Sequence, residues 1–569
     1  MKNIESYFAD CDSRYDASLG MLGQVFTSPG YHTRLASGAW VHPTVHSLEY
    51  AVLLLRHGPT ELHGRAEAIL DRVLPLQDAD PVSPYFGIWP YVFEEPISQM
   101  SPPDGNWAIF CGGRVAEALV AGEGILPEAL MERMKTALRN SGMFSFRSNI
   151  LPGYTNISVM GGGVAAMAGE LAGVPTLLEY GRRRLEAVVR SIQGNGTLCE
   201  YNSLPYNLIT IHECERVLFL LKDEETRRHA ETIRAAAWRM LADLFHPGLQ
   251  MFSGPQARAY ADFPDPITVE KLSERLGFPL TCKTTDEHTL WTGPIDLTLV
   301  PLPCPEESRE RFRKLPATPH QHKAVFIRRS PELTTAGTTW FSEGSTIGSV
   351  TRENFFYQRR PVFGSWKTAE DPAVVLKLQF LCNGRPFTSA YSMNAQEQNH
   401  VLSAVALINN LGYHTPHMDL PEDGIFKIRS LRFRYVIEGK GVRAQALDSG
   451  RFALSAGVWK AVIDPVSARI GQYQGRWEHA DEEGRAMVDA VIYEGEEIEL
   501  PIQKTGDVEI AAGLSLLPVG AALPSATPQI ASHDEAKTSF IWNLPAGPLK
   551  LDVPRHAVKY HWATGLEHR

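Results

Sequence analysis

The stretch NISVMGGGVAAMAGELAGVPTLLEYGRRRLEAVVRSIQ, residues 156–193, decides how the first half of the chain folds. Apolar and small residues recur at three- and four-residue spacing over 157–171 and again over 176–193, the period of a helix with one buried face. The link between them, Ala172-Gly173-Val174-Pro175, is short, and a short link makes two consecutive helices antiparallel neighbours. The same pattern recurs over 45–56, 61–73, 107–121, 126–140, 206–221 and 225–245. Hairpins of this kind in series predict an α/α solenoid or a closed α/α toroid. No fixed-period repeat of the tetratricopeptide type accompanies them.

From about residue 323 the period changes. AVFIRR, TTWFSE, VVLKLQFLC, FKIRSLRFRYVIEG, FALSAGVWKAVID, VEIAAGLSLLPV and LKLDVP are strand-like and are separated by turn residues. In IRSLRFRYVIEG the alternation predicts a sheet with one wet face. The expected architecture is therefore a multidomain chain, α then β. Residues 1–325 are expected to form the α/α-toroid catalytic domain, with 247–325 a mixed, proline-rich, linker-like region. Residues 326–569 are expected to form an antiparallel β-sandwich.

Composition narrows the function. The 569 residues are 44% hydrophobic and 21% charged, with a net charge of −10, values of an ordinary globular protein. The charge argues against a broad nucleic-acid face, while a local basic cleft stays open. No run of eighteen apolar residues predicts a membrane span. The first residues, MKNIESYFADCDSRYD, lack the apolar core of a secretory signal, so a cytoplasmic location is expected unless a leader has been removed. The seven cysteines (Cys11, Cys111, Cys199, Cys214, Cys282, Cys304 and Cys382) form no C-x-x-C pair and suit a reducing compartment.

Three polar clusters fall in the loops of the helical half. The first, YFGIWPYVFEEPISQMSPPDGNW over 85–107, mixes aromatic rings with acids and amides, among them Trp89, Glu95, Asp104, Asn106 and Trp107. Rings of that kind stack on sugars while carboxylates and amides bind hydroxyls; the alternative is a loop packed by aromatics. The second is Tyr154-Thr155-Asn156 ahead of a helix of small residues, where Asn156 occupies a natural N-cap position. The third is GNGTLCEYNSLPYNLITIHECER, residues 194–216. It holds Glu200, Tyr201, Asn202, Tyr206 and His212 around a helix start marked by Pro205. In the β half stand Arg359-Arg360, His400, and the His414, His417, Asp419 set. That last set is a weak candidate metal site, and no cofactor is expected.

Together these clusters resemble the heparinase II/III-type polysaccharide lyases, which pair an incomplete α/α toroid with an antiparallel β-sandwich. The resemblance rests on Asn156 followed by Gly161-Gly162-Gly163, and on Asn195-Gly196 followed by Glu200 and Tyr206. It departs at Thr155 and Ile157, where the family often has a His beside the Asn. It departs again in the loose His414-Thr-Pro-His417-Met-Asp419. The resemblance implies β-elimination on a uronate-containing oligo- or polysaccharide, an acidic partner with no nucleic acid and no membrane. It implies Tyr206 as general base and acid, with Tyr201 as second candidate. Asn156 would neutralise the substrate carboxylate, helped by Arg360 or His400, and Glu200 would orient a neighbour or bind a hydroxyl. Trp89, Glu95, Asp104, Asn106, Trp107, Asn202 and His212 are the expected substrate-binding residues. The alternatives are a glycoside hydrolase using Asp104 or Glu95 with Glu200, and a non-catalytic carbohydrate-binding scaffold. A cytoplasmic enzyme of this type would meet short imported oligosaccharides and act from chain ends.

Overall fold

The computed structural model describes residues 4–27, 32–286, 301–328, 334–352, 358–409 and 423–559. The candidate metal residues His414, His417 and Asp419 lie outside them. The chain divides into two compact units, one of Met1–Gly194, Pro205–Trp238 and Thr289–Cys304, the other of Asn195–Leu204, Arg239–His288 and Pro305–Arg569.

The first unit is helical: α1 Ile4–Arg14, α2 Thr44–His57, α3 His63–Val73, α4 Asn106–Ala121, α5 Glu128–Ser148, α6 Thr155–Leu171, α7 Pro175–Asn195, α8 Leu204–Leu220 and α9 Glu224–Asp243. The eight expected helices are all present. The largest departure is α5, which runs on past residue 140 to Ser148 and ends where Asn149 turns left-handed (φ 41°). Consecutive helices form antiparallel hairpins, the α/α arrangement that the periodicity predicts. Glycines let α6 and α7 approach closely: a Cβ on Gly169 would meet Leu178 N at 2.2 Å, and one on Gly181 would meet Gly162 O at 2.5 Å. Backbone-to-backbone contact of this kind explains the run of small residues in α6, whose positions from Thr155 to Gly169 are all buried.

The second unit holds two antiparallel sheets that share a core. In the larger, Arg476–Glu482, Arg485–Pro501, Ile425–Glu438, Val374–Cys382, Val362–Trp366, Ser345–Val350, Thr334–Phe341 and His320–Arg328 follow one another edge to edge. The other runs Ala390–Glu397, His400–Asn409, Val508–Pro518, Trp459–Ile470, Phe452–Ala456 and Arg443–Ala446. Leu376, Tyr435 and Val488 from the first face Val401, Ile463 and Leu514 from the second in one apolar cluster. This is the expected antiparallel β-sandwich. The wet face read from IRSLRFRYVIEG is present too. Leu431, Phe433 and Tyr435 point inward, while Arg432 and Arg434 reach Asp489 at 2.9 and 2.7 Å. A small third sheet, Gln529–His533, Lys537–Leu544 and Gly547–Pro554, buries Trp542 against Leu402 and Ala404. α10, Pro266–Leu276, starts at Asp265, whose carboxylate accepts from Thr268 N at 2.9 Å, and stops at left-handed Gly277.

His246 supplies an acid-sensitive point in this unit. Its Nε2 donates to Ser342 O at 2.7 Å and its Nδ1 accepts from Leu249 N at 3.2 Å, a pattern only the neutral ring can make. Burial pushes its pKa below the ordinary histidine value. The folded pKa is thus depressed. The stability it contributes is full above about pH 6.5 and is lost as pH falls through the lower folded value. Urea midpoints measured at successive pH values should fall on acidification, and His246→Gln should flatten part of that slope. An unchanged slope in the variant would remove His246 as a source.

Candidate functional site

Within the first unit, alternate helices run parallel. Thr44 of α2 accepts the Trp107 indole N–H of α4 at 3.1 Å, and Glu49, further along α2, holds Arg114, further along α4, at 2.7 Å. Glu117 of α4 pairs with Arg216 of α8 at 2.5 Å, while Arg114 lies 3.8 Å from Glu213, one turn earlier on both helices. A Cβ on Gly163 of α6 would stand 3.1 Å from Val217 of α8, and Glu170 at the end of α6 accepts from Lys222 N just past the end of α8. So α2, α4, α6 and α8 point the same way, and their N-termini share one end of the unit.

That end carries much of the predicted machinery. Asn156 precedes Gly163 by seven residues and Tyr206 precedes Val217 by eleven, about 10 and 16 Å of helix at ~1.5 Å per residue. Asn156 is fully buried and Tyr206 is 4% exposed. α6 starts at Thr155, two residues earlier than an Asn156 cap requires, so Asn156 lies inside the first turn and is not the cap. Asn106 and Trp107 open α4 at the same end. The Trp107 ring lies 4.3 Å from Tyr91, and the Tyr91 hydroxyl donates to Asp104 at 2.7 Å. Asp104 also accepts from Asn106 N at 2.9 Å. Four parallel N-termini give this end positive potential, which favours a bound anion. Arg184 of α7 adds a full positive charge, donating to Ser158 Oγ at 3.0 Å, two residues beyond Asn156.

The other expected residues have different surroundings. Trp89 is fully buried and donates to Val73 O at 3.1 Å. Glu95, 2% exposed, accepts from Thr33 Oγ1 and Arg34 N, both at 2.7 Å. His212 is half-buried on α8. Glu200, Tyr201 and Asn202 belong to the second unit. There Arg258 donates to Glu200 at 3.1 Å and to Gln358 at 3.0 Å. The Tyr201 ring stacks on Phe326 at 4.4 Å. The Asn202 amide donates to Ser253 O at 2.6 Å and Pro255 O at 3.1 Å, with its backbone left-handed (φ 46°). Arg360 donates to Asp262 at 2.9 Å, and Asp262 also takes Lys377 at 2.6 Å. Burial pushes the Asp262 carboxyl up, and the two cations more than offset it, so its pKa lies below the usual range. His400 shares a hydrogen bond of 2.8 Å with Ser515 and meets Trp542 edge-on; burial lowers its pKa. Among the described residues no group of three His, Cys, Asp or Glu is arranged to hold a metal ion, and no helix is long and apolar enough to cross a membrane.

Sequence reasoning singled out neither Tyr91 nor Arg184. Tyr91 sat in the quoted aromatic run and could be found there. Arg184 lies on a different helix from Asn156, in a run of three arginines, and nothing in the sequence distinguishes it from its neighbours.

A family model described as a domain of unknown function (DUF8769) matches residues 11–264. No curated protein matches the sequence. The chain is similar to the solved structure of a heparinase III, with 10% identity over 86% of this chain and 80% of that one and a TM-score of 0.36. A chondroitin AC lyase variant of Streptomyces coelicolor A3 has 9% identity over 88% of this chain and 79% of its own, with a TM-score of 0.37.

Proposed function

We propose that the protein is a carbohydrate-active lyase that cleaves a uronate-containing oligo- or polysaccharide by β-elimination. The observation that carries this reading is the polar N-terminal end of α2, α4, α6 and α8. It combines a buried amide (Asn156), a phenol (Tyr206), an aromatic pair (Tyr91 and Trp107) and a source of positive potential. Elimination needs those functions. The uronate carboxylate is neutralised, which acidifies the C5 proton. A base removes that proton as the C4–O bond breaks and the C4=C5 double bond forms. An acid returns a proton to the departing oxygen. Asn156 donates to the carboxylate, where charge develops as the C5 proton leaves. Helix N-termini and Arg184 add to that stabilisation. Tyr206 takes the C5 proton and passes it to the leaving oxygen. Trp107 and Tyr91 offer ring faces to the sugar. Tyr201, stacked on Phe326, is the weaker candidate.

Three carboxylates named for a hydrolase are already engaged, Glu95 by Thr33 and Arg34, Asp104 by Tyr91, and Glu200 by Arg258. Each would have to leave those partners to reach a substrate. Incubation with a panel of uronate polymers tests the assignment. The expected result is rising absorbance at the ultraviolet edge, from the unsaturated uronate left at the new chain end. New reducing ends without that absorbance would transfer the protein to the hydrolases, and no product from any glycan would leave a binding scaffold.

A further inference from the structure

The link 149–154 joins α5 to α6, and Asn156 stands in the turn that follows it. Tyr154, the residue before α6, makes no side-chain capping bond to that turn. The turn is held instead from α7, by Arg184. One arm of the guanidinium, Nη1, donates to Asn149 Oδ1 at 3.3 Å, and the other, Nη2, donates to Ser158 Oγ at 3.0 Å. Asn149 ends α5, and Ser158 closes the first turn of α6. A single planar fork therefore ties the end of one helix to the start of the next.

Other bonds fix the two targets of the fork. Ser158 Oγ donates to Ile150 O at 3.2 Å. Tyr180, one turn before Arg184 on α7, donates to Ser145 O at 2.9 Å and lies 3.3 Å from Asn149 Oδ1. Ser145 Oγ donates to Gly161 O at 2.7 Å. Ser158 and Arg184 are 1% and 7% exposed, so water competes little for these bonds. The glycines after Asn156 make the room. A Cβ on Gly162 would stand 3.1 Å from Arg184 Cβ, and one on Gly161 would stand 2.8 Å from Ser145 Oγ. A methyl group at either position would crowd α7 or α5 away from α6.

We propose that Arg184 is a positioning residue for Asn156. It grips Ser158, two residues on in the same turn, and Asn149, at the far end of the link. The Asn156 carboxamide is thereby held in the pose that meets the substrate carboxylate. The proposal rests on the lyase reading of that site. It is separate from the positive charge that Arg184 lends there, because lysine carries the same charge on one nitrogen and loses the fork. A catalytic group misplaced by ~1 Å can cost about 10²-fold in rate. The effect therefore falls on turnover, while the rest of the site still binds sugar.

Ser158→Ala releases one arm of the fork and leaves the charge in place. On a uronate polymer its kcat is expected to fall about ten- to a hundredfold, with KM within about twofold of the unaltered enzyme. Arg184→Lys should fall as far. The two substitutions together should cost no more than either alone, since both break the same bond. Amide hydrogen exchange over residues 156–161 should quicken about tenfold in each variant while α4 keeps its rates, and a thermal melt verifies folding. Unchanged kcat in both variants would overturn the proposal, since a tie with no effect on turnover is structural only. Unchanged exchange would overturn it as well, since the turn is then held without the fork. The two readings fail separately. If the unaltered enzyme yields no unsaturated product, the lyase is removed, and the grip on Asn156 stands or falls on the exchange rates.

Discussion

Tyr206→Phe is expected to lower turnover of a uronate polymer by about 10³-fold or more while the protein stays folded. The substitution removes one oxygen from a side chain that is 4% exposed and keeps the ring that packs the start of α8. General acid–base catalysis by one positioned group contributes about 10²–10⁴-fold, and here the same oxygen serves both proton transfers. The chemistry should fail while the helix entry survives. The measurement is kcat from ultraviolet absorbance, beside a thermal melt to verify folding. Activity within a few-fold of the wild type would end the assignment. The hydrolase alternative predicts the opposite ranking, with Asp104→Asn and Glu200→Gln inactive and Tyr206→Phe only impaired. Asn156 is a cleaner companion than either acid. It lies inside the first turn of α6, so its replacement removes no cap.

Arg216→Met is expected to cost about 3–5 kcal/mol of stability, the usual penalty for stranding a buried charge. Arg216 is fully buried where α4 and α8 meet, and it pairs with Glu117 at 2.5 Å and with Glu213. Burial alone would lower its pKa, but the two carboxylates more than offset that, so the guanidinium stays charged at any pH the protein meets. Gly113 makes the room: a Cβ there would lie 3.3 Å from Nη1 of Arg216. Removing the cation leaves two buried carboxylates, with Arg114 at 3.8 Å from Glu213 and Arg56 acting on Glu117 through space. Urea denaturation gives the number directly. A loss under about 1 kcal/mol would mean the network is far better solvated than its burial indicates. Replacing Arg216, Glu117 and Glu213 together by apolar residues of similar volume should recover most of the loss, because the cost lies in breaking the set. The network also matters to the site. It sets the register of α8 against α4, ten residues after Tyr206 and eleven after Asn106, so a slip there moves both helix starts.

The helices were legible because each obeys a simple periodic rule. Small and apolar residues at helical spacing over 157–171 and 176–193 leave no other way to bury them, and the four-residue link allows only an antiparallel return. Strand alternation did the same for Ile425–Glu438, where Leu431, Phe433 and Tyr435 are buried and the arginines between them are not. The candidate site residues were harder to rank. Glu200, Tyr201 and Tyr206 sit within seven positions, and all three carry groups suited to acid–base work. Only their surroundings separate them. Glu200 is held by Arg258 and Tyr201 is stacked on Phe326, and both partners lie more than fifty residues away in the chain. Charge pairing and ring stacking at that range leave no periodic trace.

The sequence by itself determined the class of the fold: helical hairpins, then an antiparallel sandwich, with polar loops at the helix starts. Those features depend on local rules, the 3.6- and 2-residue periods and the short links between elements. Only the tertiary structure decided that α2, α4, α6 and α8 run parallel, so that Asn106, Asn156 and Tyr206, fifty residues apart in steps, share one end of a helical unit. Only the tertiary structure stacked Tyr201 on Phe326. The physical reason is the same in each case. Electrostatic potential and ring stacking depend on distance in space, and the chain sets that distance only once its hairpins have closed.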